Sequence, residues 1–135
     1  MYEALGAVAD KRIEVSGNAG KCYSSTRNKF YDISFDPESN AIMSNDNTSY
    51  YKGELGYPAV AFLLQRGELE YRPEMGGLMK GIAWKDINQK FKNDFEKALE
   101  HILKDMEAIK KEGLRKYCEM LADLVKGLDL KKLRK

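Results

Sequence analysis

The spacing of apolar residues changes near residue 84, and that change commits the chain to a fold built in two styles. Before it, short alternating segments are separated by Gly, Asn, Asp and Pro. After it, apolar residues recur at steps of three and four. A strand sends successive side chains to opposite faces, whereas a helix gathers positions three and four apart on one face. The expected fold class is therefore α+β: a small antiparallel meander with a short buried helix, packed against a C-terminal antiparallel helical hairpin.

In the first part, Arg12–Ser16 puts Ile13 and Val15 on one face. Gly17-Asn18-Ala19-Gly20 reads as a turn, because Gly and Asn tolerate positive φ. Lys21–Arg27 returns as a second strand, and Lys29–Phe35 alternates with Tyr31, Ile33 and Phe35 facing one way. Asp36-Pro37-Glu38-Ser39-Asn40 is a turn with Asn40 suited to a left-handed position. Ala41–Ser44 and Thr48–Lys52 are further strand candidates. Pro58–Arg66 breaks the alternation: Pro58 fits the first helical position and Gly67 the position past the end. Apolar on every side between them, it reads as a buried helix, with a buried strand as the competing reading. Glu68–Arg72 alternates again.

Helix is expected after residue 84. Asp86 and Gln89 are spaced as a capping box. Ile87, Phe91, Phe95, Ala98, Ile102, Met106 and Ile109 continue one stripe, read as a single straight helix over 86–111 that Gly113 ends. A second helix from Leu114 turns Tyr117, Cys118, Leu121, Leu124, Val125 and Leu128 inward. The 135 residues read as one domain, with a β-rich part over 10–84, the hairpin over 86–128 and a basic tail at 129–135.

The formal charge of +2 hides a gradient. Residues 1–84 are net −2, residues 85–125 are neutral, and the last ten carry +4. A basic tail attracts nucleic acid or an anionic surface, but five cations without a reading element read better as a frayed, solvated terminus. Nucleic acid is therefore not the expected partner. No apolar run approaches the roughly 20 residues of a membrane span. The N-terminus lacks a charged region ahead of an apolar core, so no secretory signal is read, and the sequon at Asn47-Thr48-Ser49 carries no weight. Cys22 and Cys118 lie far apart with no Cys-x-x-Cys pair, and a cytoplasmic location with free thiols is expected. Seventeen Lys against six Arg, with only two Gln, lean toward a thermophilic source.

Most chemical motifs fail on inspection. Gly20-Lys21 lacks the earlier glycine and the following Ser or Thr of a phosphate loop. His101 is the only histidine, which excludes a multi-histidine metal site within the chain. Asp94, His101, Asp105 and Glu112 would share one stripe of a continuous helix, beside lysines, and read as a solvated flank. Cys118 falls on an apolar face, while Cys22 sits among polar neighbours and is expected to be the more exposed. The early tyrosines, Tyr31 and Tyr57 among them, either pack the sheet or grip a ligand.

The unusual segment is Pro73–Trp84, glycine-rich yet apolar. Gly76, Gly77, Lys80, Gly81 and Trp84 are its candidate ligand-binding residues, since glycine lets backbone approach a ligand and Trp84 can line an apolar site. The alternative is a strap that covers the core. No catalytic set, metal site or cofactor is expected. The reading is a non-enzymatic binding or assembly module that pairs with itself through the C-terminal helices. A small-molecule site or enzyme under residues 73–84 is the alternative, and anion binding through the tail a weaker one.

Overall fold

The computed structural model describes residues 1–45 and 55–132. The strand expected at Thr48–Lys52 and the sequon at Asn47 lie outside the described residues. An unexpected helix α1 (Tyr2–Ala9) opens the chain. Four strands follow as an antiparallel meander: β1 (Ile13–Ser16), β2 (Ala19–Tyr23), β3 (Phe30–Asp36) and β4 (Ala41–Ser44). A fifth short strand, β5 (Lys131–Lys132), pairs in parallel with β4 at the far edge.

The register explains the alternation. Ile13, Cys22 and Tyr31 stand side by side, as do Val15, Gly20 and Ile33. This row faces helix α2 (Tyr57–Arg66), which is the expected buried helix: Pro58 opens it, residues 58–64 are all buried, and Gly67 ends it at φ 91°. The hairpin turn is tighter than expected. Gly17 at φ 60° and Asn18 suffice, so β2 begins at Ala19 and ends at Tyr23 rather than Arg27. Two-residue loops with a positive-φ glycine match the twist of the strands they join.

Gly20 has a different reason to be glycine. A Cβ there would lie 2.6 Å from Cδ2 of Phe62, a ring that is itself fully buried, and 2.9 Å from the Glu14 carbonyl. Gly20→Ala should fall at the upper end of the about 1–3 kcal/mol that overpacking costs. Gly77→Ala, where nothing lies within 4 Å, is the matched control and should be near neutral in the same urea titration.

Three expected elements change. Residues 68–72 form no strand. Leu69 is buried, the Glu68 and Leu69 N–H groups donate to Leu63 O, and the Tyr117 hydroxyl donates to Glu70 O (2.6 Å) and accepts from Arg72 N–H (2.9 Å). The single 86–111 helix is instead α4 (Trp84–Lys90), α5 (Phe95–Leu103) and the start of α6 (Ala108–Leu128). Its capping box is absent: α4 begins two residues earlier, with Ala83 at its N-cap position and no side chain capping it. Lys92 and Asn93, at φ 52° and 64°, turn the chain between α4 and α5, and Asp94 caps α5 by accepting from Lys97 N–H.

The bend of the C-terminal helical part falls at 104–107 instead of at Gly113, which sits inside α6. A Cβ at Gly113 would lie 3.1 Å from Cε of Met75 in α3 (Pro73–Gly76), so this glycine marks close packing and not a helix end. The start of the tail is also not free. Asn40 Nδ2 donates to the carbonyls of Leu128 and Asp129, and Lys131 N–H donates to Asn40 O.

Candidate functional site

Polar side chains from separate stretches of chain meet at one cavity of about 480 Å³. Helix α1 supplies Glu3, the β2–β3 loop supplies Ser24, Ser25 and Lys29, β3 supplies Tyr31, and α2 supplies Tyr57. Lys85, Asn88 and Gln89 come from α4, and Asn93 from the bend behind it. The volume is that of a small-molecule site. A hollow of similar size on the outer face of the sheet is lined only by neighbouring strands, with Glu14, Lys21 and Asp32 among them.

Local structure holds these groups in place. The β2–β3 loop closes through Ser24 N–H to Lys29 O, with Arg27 at φ 61°. Thr26 Oγ1 donates to Asn28 Oδ1 at 2.6 Å. The loop is latched to α4: Lys85 N–H donates to Ser25 Oγ (2.9 Å), and Lys85 Nζ reaches Asn28 Oδ1 (3.5 Å). Tyr31 and Tyr57 meet edge to face at 6.1 Å. The two left-handed residues after α4 are what bring Asn93 back to the cavity.

The electrostatics centre on Glu3. Burial pushes its carboxyl up to about 7, against the opposing pull of Arg12 and the N-terminal ammonium. Burial also raises the Tyr57 hydroxyl, with Cys22, Glu3 and Tyr31 adding to the effect. Tyr57 is therefore a neutral hydrogen-bonding group at ordinary pH. Arg12 stands behind this region, 1% exposed. Its Nη1 donates to Tyr23 O and its Nε lies 3.6 Å from Asp10, while Nη2 has no partner among the described residues. A carboxyl raised by burial beside a cavity is a candidate functional group, since perturbed groups cluster at such sites.

The residues singled out from the glycine-rich segment are placed differently. Trp84 is fully buried and stacked on Phe95, with centroids 6.4 Å apart. Gly76 is buried under Tyr71, whose ring would be 2.3 Å from a Cβ there. Gly77, Lys80 and Gly81 are exposed, and Gly81 N–H donates to Asp10 Oδ1. None of the five lines the polar cavity, though Lys85, next in the chain, does. Cys22 is buried, contrary to expectation, because it pairs into the centre of the sheet facing α2. Cys118 is buried as expected, and burial raises its thiol to about 11.

Among the described residues, no group of three or more His, Cys, Asp and Glu side chains could hold a metal. The stripe of Asp94, His101, Asp105 and Glu112 is dispersed by the bend at 104–107. No helix of the described residues is long and apolar enough to cross a membrane.

Glu3 was not singled out from the sequence, and Tyr57 stood out only as one of the early tyrosines. The available signal was a lone carboxylate in the apolar stretch Tyr2–Ala9. Comparison with known proteins finds no curated protein and no solved structure that matches. A family model described as Uncharacterised conserved protein UCP014422 matches residues 1–131, a span that includes every residue lining the cavity, and the chain belongs to that family.

Proposed function

We propose that this protein binds a small polar molecule in the cavity between α1, the β2–β3 loop and α4, as a binding module and not as a catalyst. The observation that carries the reading is the convergence of hydroxyl, amide, ammonium and carboxyl groups from positions as far apart as Glu3 and Asn93 on one cavity. A small domain gains little stability from gathering so many polar groups, whereas convergent polar groups beside a carboxyl displaced by burial are marks of a ligand site. In this reading the 73–84 segment supports the site from behind: α1 lies so close to it that a Cβ on Gly6 would be 3.0 Å from Met79 O and from Trp84 Nε1.

Native mass spectrometry of the purified protein tests this. The expected result is a reproducible added mass that disappears in the double variant Lys85→Ala, Asn88→Ala, with an unchanged far-UV spectrum. A bare chain that gains no thermal stability from any member of a metabolite library would count against it.

A second reading rests on a separate observation. Ile109 is 86% exposed and Leu124 43% exposed, both on α6, while Tyr117 of the same helix is buried. Pairing of two copies through this face is the self-assembly expected from the sequence. Leu124→Glu should then split the dimer without unfolding the chain.

A further inference from the structure

Resting on the cavity reading above, we propose that its ligand is a small organic anion, held by Lys29 and Lys85 and admitted together with one proton. The two lysines stand on the two partners of the latch that closes the cavity: Lys29 on the β2–β3 loop, Lys85 on α4. Lys85 Nζ donates to Asn28 Oδ1, on the same loop as Lys29, and both lysines line the cavity. Neither lysine has a carboxylate partner among the described residues. Cations without a counter-ion beside a polar cavity are the chemistry of an anion site.

Among the described residues, Glu3 is the only carboxyl lining this cavity. Among the described residues, the charged and titratable groups around it are Arg12 behind the wall, the Met1 ammonium at the start of its own helix, Tyr31 from β3, Tyr57 from α2, and Lys29 and Lys85, which line the same cavity. Arg12, behind the wall, is held by Asp10 and by Tyr23 O, and its Nη2 has no hydrogen-bond partner among the described residues. An incoming anion is repelled by ionised Glu3 and accepts a hydrogen bond from protonated Glu3. Binding and protonation at this carboxyl therefore favour each other. The ligand itself is not altered: as the anion enters, an O–H bond forms at a Glu3 carboxyl oxygen and one breaks in the hydronium ion or buffer acid that gives up the proton. A cationic ligand would show the opposite coupling, since it would pair with the carboxylate.

The experiment uses two isosteric probes of opposite charge, benzoate and benzamidine, with neutral benzamide as the third. The charges of all three stay fixed across neutral pH. Each is titrated into the ¹⁵N-labelled full chain at about pH 6 and about pH 8, and amide shifts are followed. Benzoate is expected to move the amides around Lys29, Tyr57 and Lys85, with a dissociation constant about tenfold higher at the upper pH, as linkage to one proton requires. Glu3→Gln should bind equally at both values. Lys29→Ala and Lys85→Ala should each weaken binding several-fold without changing its pH dependence.

Benzamidine or benzamide occupying the cavity while benzoate does not would overturn the anion proposal and leave the cavity reading standing. Silence of the cavity amides to all three probes would overturn the anion proposal, and the cavity reading would then rest on the native mass result. Benzoate binding that is equally tight at both pH values would overturn the coupling to Glu3.

Discussion

Trp84→Ala is expected to destabilise the chain by about 3–5 kcal/mol, the range for removing a fully buried large aromatic side chain. The indole is 0% exposed and fills the space between α1 and α5, with Phe95 stacked on one face. Few neighbours can collapse into the void, because α1 is pinned to the same region by the close approach at Gly6. Trp84→Phe should cost clearly less. It keeps a ring against Phe95 and removes Nε1, a buried donor without a partner among the described residues. A donor in that state is itself destabilising by about 1–3 kcal/mol, and its removal offsets part of the lost volume. Urea titration followed by far-UV circular dichroism reads both variants, since the only tryptophan is the residue replaced. A loss below about 1 kcal/mol for Trp84→Ala would mean that the indole is not a core element.

The elements governed by local chemistry are those legible in the sequence. β1 to β4 follow from alternation and from turn residues with the φ values they favour, such as Gly17 and Asn40. The buried helix follows from Pro58 and Gly67 bracketing an apolar run. The expected elements that changed are those decided by tertiary contact. The apolar spacing from Ile87 to Ile109 is as consistent with one helix as with two short helices and the start of a long one, because steps of three and four continue across each break. What selects the break after α4 is the return of Phe95 onto Trp84 and the cap at Asp94. Gly113 looked like a helix end because its packing partner, Met75, lies 38 positions earlier and leaves no local mark. Helix α1 was passed over because eight residues give too short a pattern to read, and isolated helices of that length are marginal.

The site was legible only in fragments. Lys85 directly follows the glycine-rich segment that drew attention, and the early tyrosines include Tyr31 and Tyr57 of the cavity wall. Glu3, Tyr57 and Asn93 carry no shared spacing, since only the fold brings α1, α2 and the bend after α4 together. The glycine-rich segment drew attention for a sound reason, its backbone freedom, but at Gly76 that freedom serves close packing under Tyr71.

Glu3→Gln should stabilise the folded chain near pH 8 and leave it nearly unchanged near pH 4, the difference arising from linkage between ionisation and folding. The folded-state carboxyl sits at about 7, above its ordinary 4.5, so the folded chain binds a proton more tightly than the unfolded one does. The wild type therefore carries no penalty at low pH, loses stability as pH rises from 4.5 toward 7, and keeps the full loss above that. A displacement from 4.5 to about 7 corresponds to about 3 kcal/mol. Glutamine keeps the shape and hydrogen-bonding capacity of the protonated acid but cannot ionise, so the variant should lack this slope. Thermal melts of both proteins across that pH range would show the two curves parting as Glu3 ionises in the wild type. Curves that stay parallel would place the carboxyl in ordinary contact with water and remove the proton-coupled half of the anion proposal, while leaving the two lysines as its remaining support.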